Sequence, residues 1–169
     1  MLDASKDNIN NPEFKAKLWE TLCLTTPSGA LLEGDIEIDG LNPTGQLKSY
    51  KISLGKRKYV YLKVKYKLDL KNYLYLNIDS QIRDIYSRII SNNYSDMGIS
   101  FEYQDFFAPV NEVKGIKFME ISACIKDIDT ESISKITDSD FQTNKDIAIN
   151  DDTMLLFNTT DRLLIDIDS

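Results

Sequence analysis

The stretch Tyr59-Val-Tyr-Leu-Lys-Val-Lys-Tyr-Lys-Leu68, followed by Ile78-Asp-Ser-Gln-Ile-Arg-Asp-Ile-Tyr-Ser-Arg-Ile-Ile90, decides the fold. In the first half Val60, Leu62, Val64, Tyr66 and Leu68 take alternate positions, with Tyr59, Tyr61, Lys63, Lys65 and Lys67 between them. Side chains alternate across a strand, so this pattern predicts one apolar and one wet face. In the second half Ile78, Ile82, Ile85 and Ile89 recur at helical spacing, while Arg83, Asp84, Ser87 and Arg88 fall on the opposite side. A half-buried strand leads into an amphipathic helix, and their apolar surfaces must meet.

Outward from this unit, the preceding residues read as a hairpin and a helix. Asn11 caps a helix opened by Pro12, with Phe14, Leu18 and Leu22 on one stripe and Pro27 just past its end. Asp35 to Ile38 alternates as a short strand, Asp39 to Gly45 is dense in turn formers, and Gln46 to Leu54 alternates again. Gly55-Lys-Arg-Lys58 reads as a basic turn into the long strand. Lys71 to Asn77 is expected as a loop or strand extension, with Asn77 or Asp79 capping the helix after it.

Downstream, Ile99, Phe101 and Tyr103 predict a short strand. Phe106, Val110 and Val113 predict a short helix capped by Asp105, with Pro109 in its first turn and Gly115 ending it. Ile116 to Ile125 is a second long strand, with Met119, Ile121, Ala123 and Ile125 on one face and Phe118 on the other. Residues 126–144 read as a flexible acidic loop carrying Ile128, Ile133, Ile136 and Phe141 as scattered anchors. Ile147 and Ile149 mark a strand, Asp151-Asp152 a cap for a helical turn through Phe157, and Leu163 to Ile167 a closing strand. The fold class is α+β: an antiparallel or mixed sheet with two helices on one face, a short N-terminal helix and a C-terminal strand. The expected organisation is a flexible N-terminus over 1–11 and a single domain over 12–169.

Composition narrows function. With 169 residues, 42% of them apolar, the chain can build a core without staples. The formal charge of -7 opposes nucleic-acid binding. Having no histidine excludes Ser-His-Asp and Cys-His catalysis and histidine-based zinc sites. Cys23 and Cys124 lie far apart among apolar neighbours and read as reduced, buried hydrophobes. No run approaches a membrane span, and the first residues are no signal peptide, which points to synthesis in the cytoplasm.

Candidate sites are few. The pairs Asp127/Asp129, Asp138/Asp140, Asp151/Asp152 and Asp166/Asp168 read as solvated acidic loops, because a cation site needs ligands converging on one point. Neither metal nor cofactor is expected, and no catalytic residue is assigned. Tyr59 and Tyr61 with Lys63 and Lys65, and the Tyr73/Tyr75 pair, make an aromatic and basic strand face; contact with protein is the favoured use, and binding of nucleic acid or saccharide the alternative. Tyr103 and Phe107 complete the candidate interface, since four aromatics in Phe101 to Val110 exceed what one small face buries.

Taken in order, Thr26-Pro-Ser-Gly29, Gly34, Leu54-Gly-Lys-Arg57, the long strand and helix, Val113-Lys-Gly115, the second strand, and Asp146-Ile-Ala-Ile149 before a closing strand resemble the C-terminal half of the J-type baseplate wedge proteins of contractile-tailed phages. The family's Arg-Pro step is absent here, and its members carry a further N-terminal portion. The resemblance spans about Leu18 to Ile167. It implies a non-enzymatic structural subunit, made in a bacterial cytoplasm and assembled into a virion or tail-like particle. The implied partners are other baseplate or tail proteins or a second copy, with neither membrane nor nucleic acid.

Overall fold

The structure, a computed structural model, describes residues 10–27, 32–69 and 77–167. The expectations for 1–9, for Ser28-Gly29 and Leu31, and for residues 70–76 with Tyr73 and Tyr75 lie outside the described residues. Contacts group the chain into two compact units, Met1–Gly55 and Lys56–Ser169; the reading of 12–169 as one domain placed no boundary at 55.

The first unit pairs a helix with a hairpin. Helix α1 (Pro12–Thr25) starts as its sequence dictates, the Asn11 side chain accepting from the Glu13 and Phe14 N–H groups that the first turn leaves unpaired. Strands β1 (Ile36–Leu41) and β2 (Leu47–Ile52) are antiparallel, with Ile38 opposite Tyr50 and Leu41 opposite Leu47. The turn is tighter than Asp39 to Gly45, because β1 runs on to Leu41 and the Asn42 carboxamide gathers the Thr44 and Gln46 N–H groups. Trp19 fastens the helix to the hairpin: its indole N–H donates to the Leu41 carbonyl at 2.9 Å, and its ring lies 5.3 Å from that of Tyr50. Gly40 makes room for it, since a Cβ there would sit 2.5 Å from the indole.

In the second unit β3 (Lys56–Leu68) is the central strand. One edge pairs antiparallel with β4 (Ile116–Lys126), which carries β5 (Gln142–Thr143) beyond it. The other edge pairs in parallel with β6 (Thr153–Leu156) and then β7 (Leu163–Ile167). The sheet is therefore mixed, and the α+β class is observed.

Helices α2 (Ile78–Asn93) and α3 (Tyr103–Asn111) cover one face. Val60, Leu62, Val64 and Tyr66 of β3 and Met119, Ile121 and Ala123 of β4 point there, as their alternation requires, and join Ile78, Ile82, Tyr86, Phe106 and Val110 in one core. Phe118 points away and is half exposed. The stripe on α2 is centred on Ile82 and Tyr86, with Ile85 and Ile89 at its margins. Phe106 is the hub: the rings of Tyr86, Phe101, Tyr94 and Phe157 lie 4.9, 5.3, 5.6 and 5.7 Å from it. The Tyr86 hydroxyl, deep in this cluster, has no hydrogen-bond partner among the described residues, and burial pushes its pKa up.

Several local expectations are corrected. Ile99 to Tyr103 is no strand; only Phe101 bridges, to Ile147, and Tyr103 already begins α3. Pro109 thus sits late in α3 instead of in its first turn. Asp105 does not cap that helix but accepts from Tyr94 and Asn93, while Asp146 accepts the Tyr103 N–H at 2.9 Å. Ile149 joins no strand, and Asn77 occupies the cap position of α2 without a side-chain bond. Lys56-Arg-Lys58 belongs to β3, not to a turn. Met154 to Leu156 is strand, not helix, because the free edge of β3 supplies backbone partners and buries Thr153 and Leu155. Gly115 does not end α3, which stops at Asn111 with Glu112 as its cap; with φ of 96° it forms the turn into β4 instead.

Candidate functional site

The sheet face opposite the helices carries Tyr59, Tyr61, Lys63 and Lys65 from β3 and Cys124 from β4, with Tyr61 directly across from Cys124. This face is not open. Residues 127–141 cross it as a strap built from two single-turn 3-10 helices, Ile133–Lys135 and Asp138–Asp140. Ile133 and Ile136 lie one such turn apart and both enter a second apolar cluster with Tyr61 and Cys124, distinct from the helix-side core. Tyr59, Phe141 and Leu164 line its margin.

A polar clamp fixes the start of the strap. Arg162, nearly buried between β6 and β7, donates through Nε to Asp129 Oδ1 at 3.1 Å, through Nη2 to Asp129 Oδ2, and through Nη1 to the Leu156 carbonyl. This is the bidentate geometry in which a guanidinium binds a carboxylate best. Its Cζ lies 4.7 Å from the centre of the Tyr59 ring and 5.7 Å from that of Tyr61. The Tyr61 hydroxyl donates to Asp129 at 2.9 Å and accepts the Thr130 N–H at 2.7 Å, and the Glu131 N–H also donates to Asp129. Glu131, at φ of 66°, turns the chain to do so.

Further along, Lys63 meets Asp138 while its ammonium lies 4.3 Å from the Phe141 ring. Lys126 meets Asp140 at 3.0 Å, and Lys58 meets Asp127 at 3.2 Å. The strap closes where β5 pairs with β4 and Asn144 bonds Ile121 through both backbone and side chain. A shallow depression of about 350 Å³ opens at its edge, lined by Lys126, Asp127, Ile128, Thr130 and Lys135 among others.

Each acid of the strap thus serves a different cation. Among the described residues no three carboxylate or thiol groups converge as a metal site would require. The Glu131 N–H, then Arg162 and Tyr61, hold the Asp129 carboxyl below its ordinary value; Lys63 does the same for Asp138, Thr137 and Lys126 for Asp140, and Lys56 for Asp152. A carboxylate whose pKa is lowered by folding adds stability above its unfolded value and loses it as pH falls toward the folded one. Urea unfolding at stepped pH is therefore expected to show stability falling as pH drops below 3.8, the ordinary value, chiefly through Asp129, the best shielded of these acids; a flat profile there would contradict its pairing with Arg162.

Of the predicted interface residues, Tyr61 is wholly buried and offers no ring to a base or sugar while the strap is in place. Tyr59 and Lys63 are half-buried under the strap, and Lys65 is exposed, opposite Glu120. Tyr103 and Phe107 are brought together elsewhere, 6.3 Å apart at the margin of the helix-side core. The sequence reading missed Arg162 and took Asp129 for a solvated acid. A lone arginine between Asp161 and Leu163-Leu-Ile, in an otherwise acidic tail, was the available signal.

The second unit is thus a mixed sheet packed on two helices, with its other face strapped by the chain itself. The chain belongs to the DUF276 family, whose model matches residues 1–167; that designation carries no activity. No curated protein matches it.

Proposed function

We propose that this protein is a non-enzymatic structural subunit of a phage-tail-like baseplate, acting through protein-protein assembly. The observation that carries the reading is the thin core of the first unit. Its helix has no fully buried residue, and Leu24, Leu41 and Leu47 are 77, 64 and 76% exposed. A two-stranded hairpin is marginal on its own, and apolar surface left bare on one is surface that a neighbour can cover. Leu41 and Leu47 stand opposite each other at the hairpin end, so both serve one contact. The resemblance of the sequence to baseplate wedge proteins supports the same reading.

The test is incorporation. In tail-like particles purified from cells encoding this chain, the protein is expected as a stoichiometric component. The double variant Leu41→Ser/Leu47→Ser should keep its far-UV spectrum yet be reduced about ten-fold or more in the particles, since burying each leucine side chain at the contact is worth about 1.5–3 kcal/mol. Absence of the wild-type chain from particles, or normal incorporation of the variant, would overturn the assignment.

A further inference from the structure

We propose that the sheet face beneath residues 127–141 is a binding site for an acidic, isoleucine-bearing peptide segment of a partner protein, and that the strap is its occupant in cis. This goes beyond the assembly role and does not depend on it. Three observations carry it.

The first is independence. The strap packs on Tyr61 and Cys124 in a cluster of its own, while the helix-side core is complete on the opposite face. Lifting the strap therefore uncovers the face without opening the core that holds the sheet, and such segments occupy the low end of the local stability range. The second is the thinness of the attachment. Apart from the Asp129 clamp it has two isoleucines, the Ile133 N–H on the Asp161 carbonyl, a partly covered Phe141, the Lys126–Asp140 pair, and two pairs whose carboxylates lie largely in water: Asp127 is 80% exposed and Asp138 93%. Exposed pairs of this kind add little.

The third is the chemistry left behind. An uncovered face would present the Arg162 guanidinium, stacked near two tyrosine rings, beside an apolar floor of Tyr61 and Cys124 and a flanking ammonium at Lys63. A forked cation, an apolar floor and a second cation in line select a segment with a carboxylate, then isoleucines, then another carboxylate. That is the order Asp129, Ile133, Ile136, Asp138 in the strap. Asp127, Asp129, Glu131, Asp138 and Asp140 of the strap outweigh its one cation, Lys135, so with the strap lifted the cations of this face are what an acidic segment would meet.

Cys124, 3% exposed under the strap, reports on opening. In the full chain with Cys23→Ser it is the sole thiol, and its modification by a disulfide reagent can be followed in increasing urea. Opening of the strap predicts a labelling rate nearly independent of urea below the unfolding transition; a slope equal to that of global unfolding would show that the strap is part of the sheet's fold and overturn the proposal. Adding Ile133→Ala should raise the rate about ten-fold or more, because a buried anchor is lost. In that variant, a synthetic peptide of residues 127–144 should restore protection saturably, and the same peptide with Asp129→Ala should not. If the Ile133→Ala chain does not keep its far-UV spectrum, Ile136→Val takes its place. Labelling unchanged by either peptide would overturn the proposed site while leaving the assembly role untouched.

Discussion

Arg162→Met is expected to lower the unfolding free energy of the second unit by about 2 kcal/mol, the loss of charge-assisted hydrogen bonds at a shielded site. The guanidinium side chain is 10% exposed and spends its donors on Asp129 and the Leu156 carbonyl, so methionine replaces its bulk but none of its bonds. The loss stays short of that for a fully buried pair because Asp129 keeps the Glu131 N–H and the Tyr61 hydroxyl. Adding Asp129→Asn to the methionine variant should recover part of the loss, because no carboxylate then lacks its cation. Urea midpoints of the three proteins provide the check, and a neutral Arg162→Met would mean that the clamp holds nothing.

The largest single effect is expected at Phe106. Its ring sits at full burial among Tyr86, Tyr94, Phe101 and Phe157, meeting Tyr86 edge to face. Phe106→Ala removes both the transfer energy of the ring and the partners of four others, for about 3–5 kcal/mol. That is a large share of what holds a domain of this size together. Far-UV spectra and urea unfolding would register it, and a loss under about 1 kcal/mol would contradict the placement of Phe106 at the hub.

What was legible in the sequence was whatever one element decides alone. The alternation from Tyr59 to Leu68 and from Ile116 to Ile125 predicts which face each side chain takes, because the strand period is two and one face is dry. Asn11 acts locally and caps its helix as expected. The failures are tertiary. Met154-Leu-Leu-Phe157 is an apolar run that suits helix or strand equally, and the unpaired edge of β3, far back in the chain, settles it.

The site failed for the same reason. Tyr61 alternates with lysines and so reads as wet, yet Thr130, Asp129 and Ile133 arrive from a distant segment to bury it. The acidic composition of that segment hid the spacing of Ile133 and Ile136. Its carboxylates looked solvated because the cations they meet belong to strands read separately: Lys63 and Lys126 to the two long strands, Arg162 to the threshold of β7.

The parallel pairing of β7 with β3 also governs the order of events during synthesis. Leu62 cannot find Leu163 until the residues between them have been made, so that part of one edge of the central strand waits, unpaired, in the interval. A long, apolar, waiting edge is a template for aggregation. Here every second residue from Lys63 to Lys67 is a lysine, and Lys56-Arg-Lys58 opens the strand. Positive charge at that density makes a second nascent chain a poor partner for the open edge, so Lys58 and Lys63, which later meet the strap, act with their basic neighbours as gatekeepers during the interval before folding finishes.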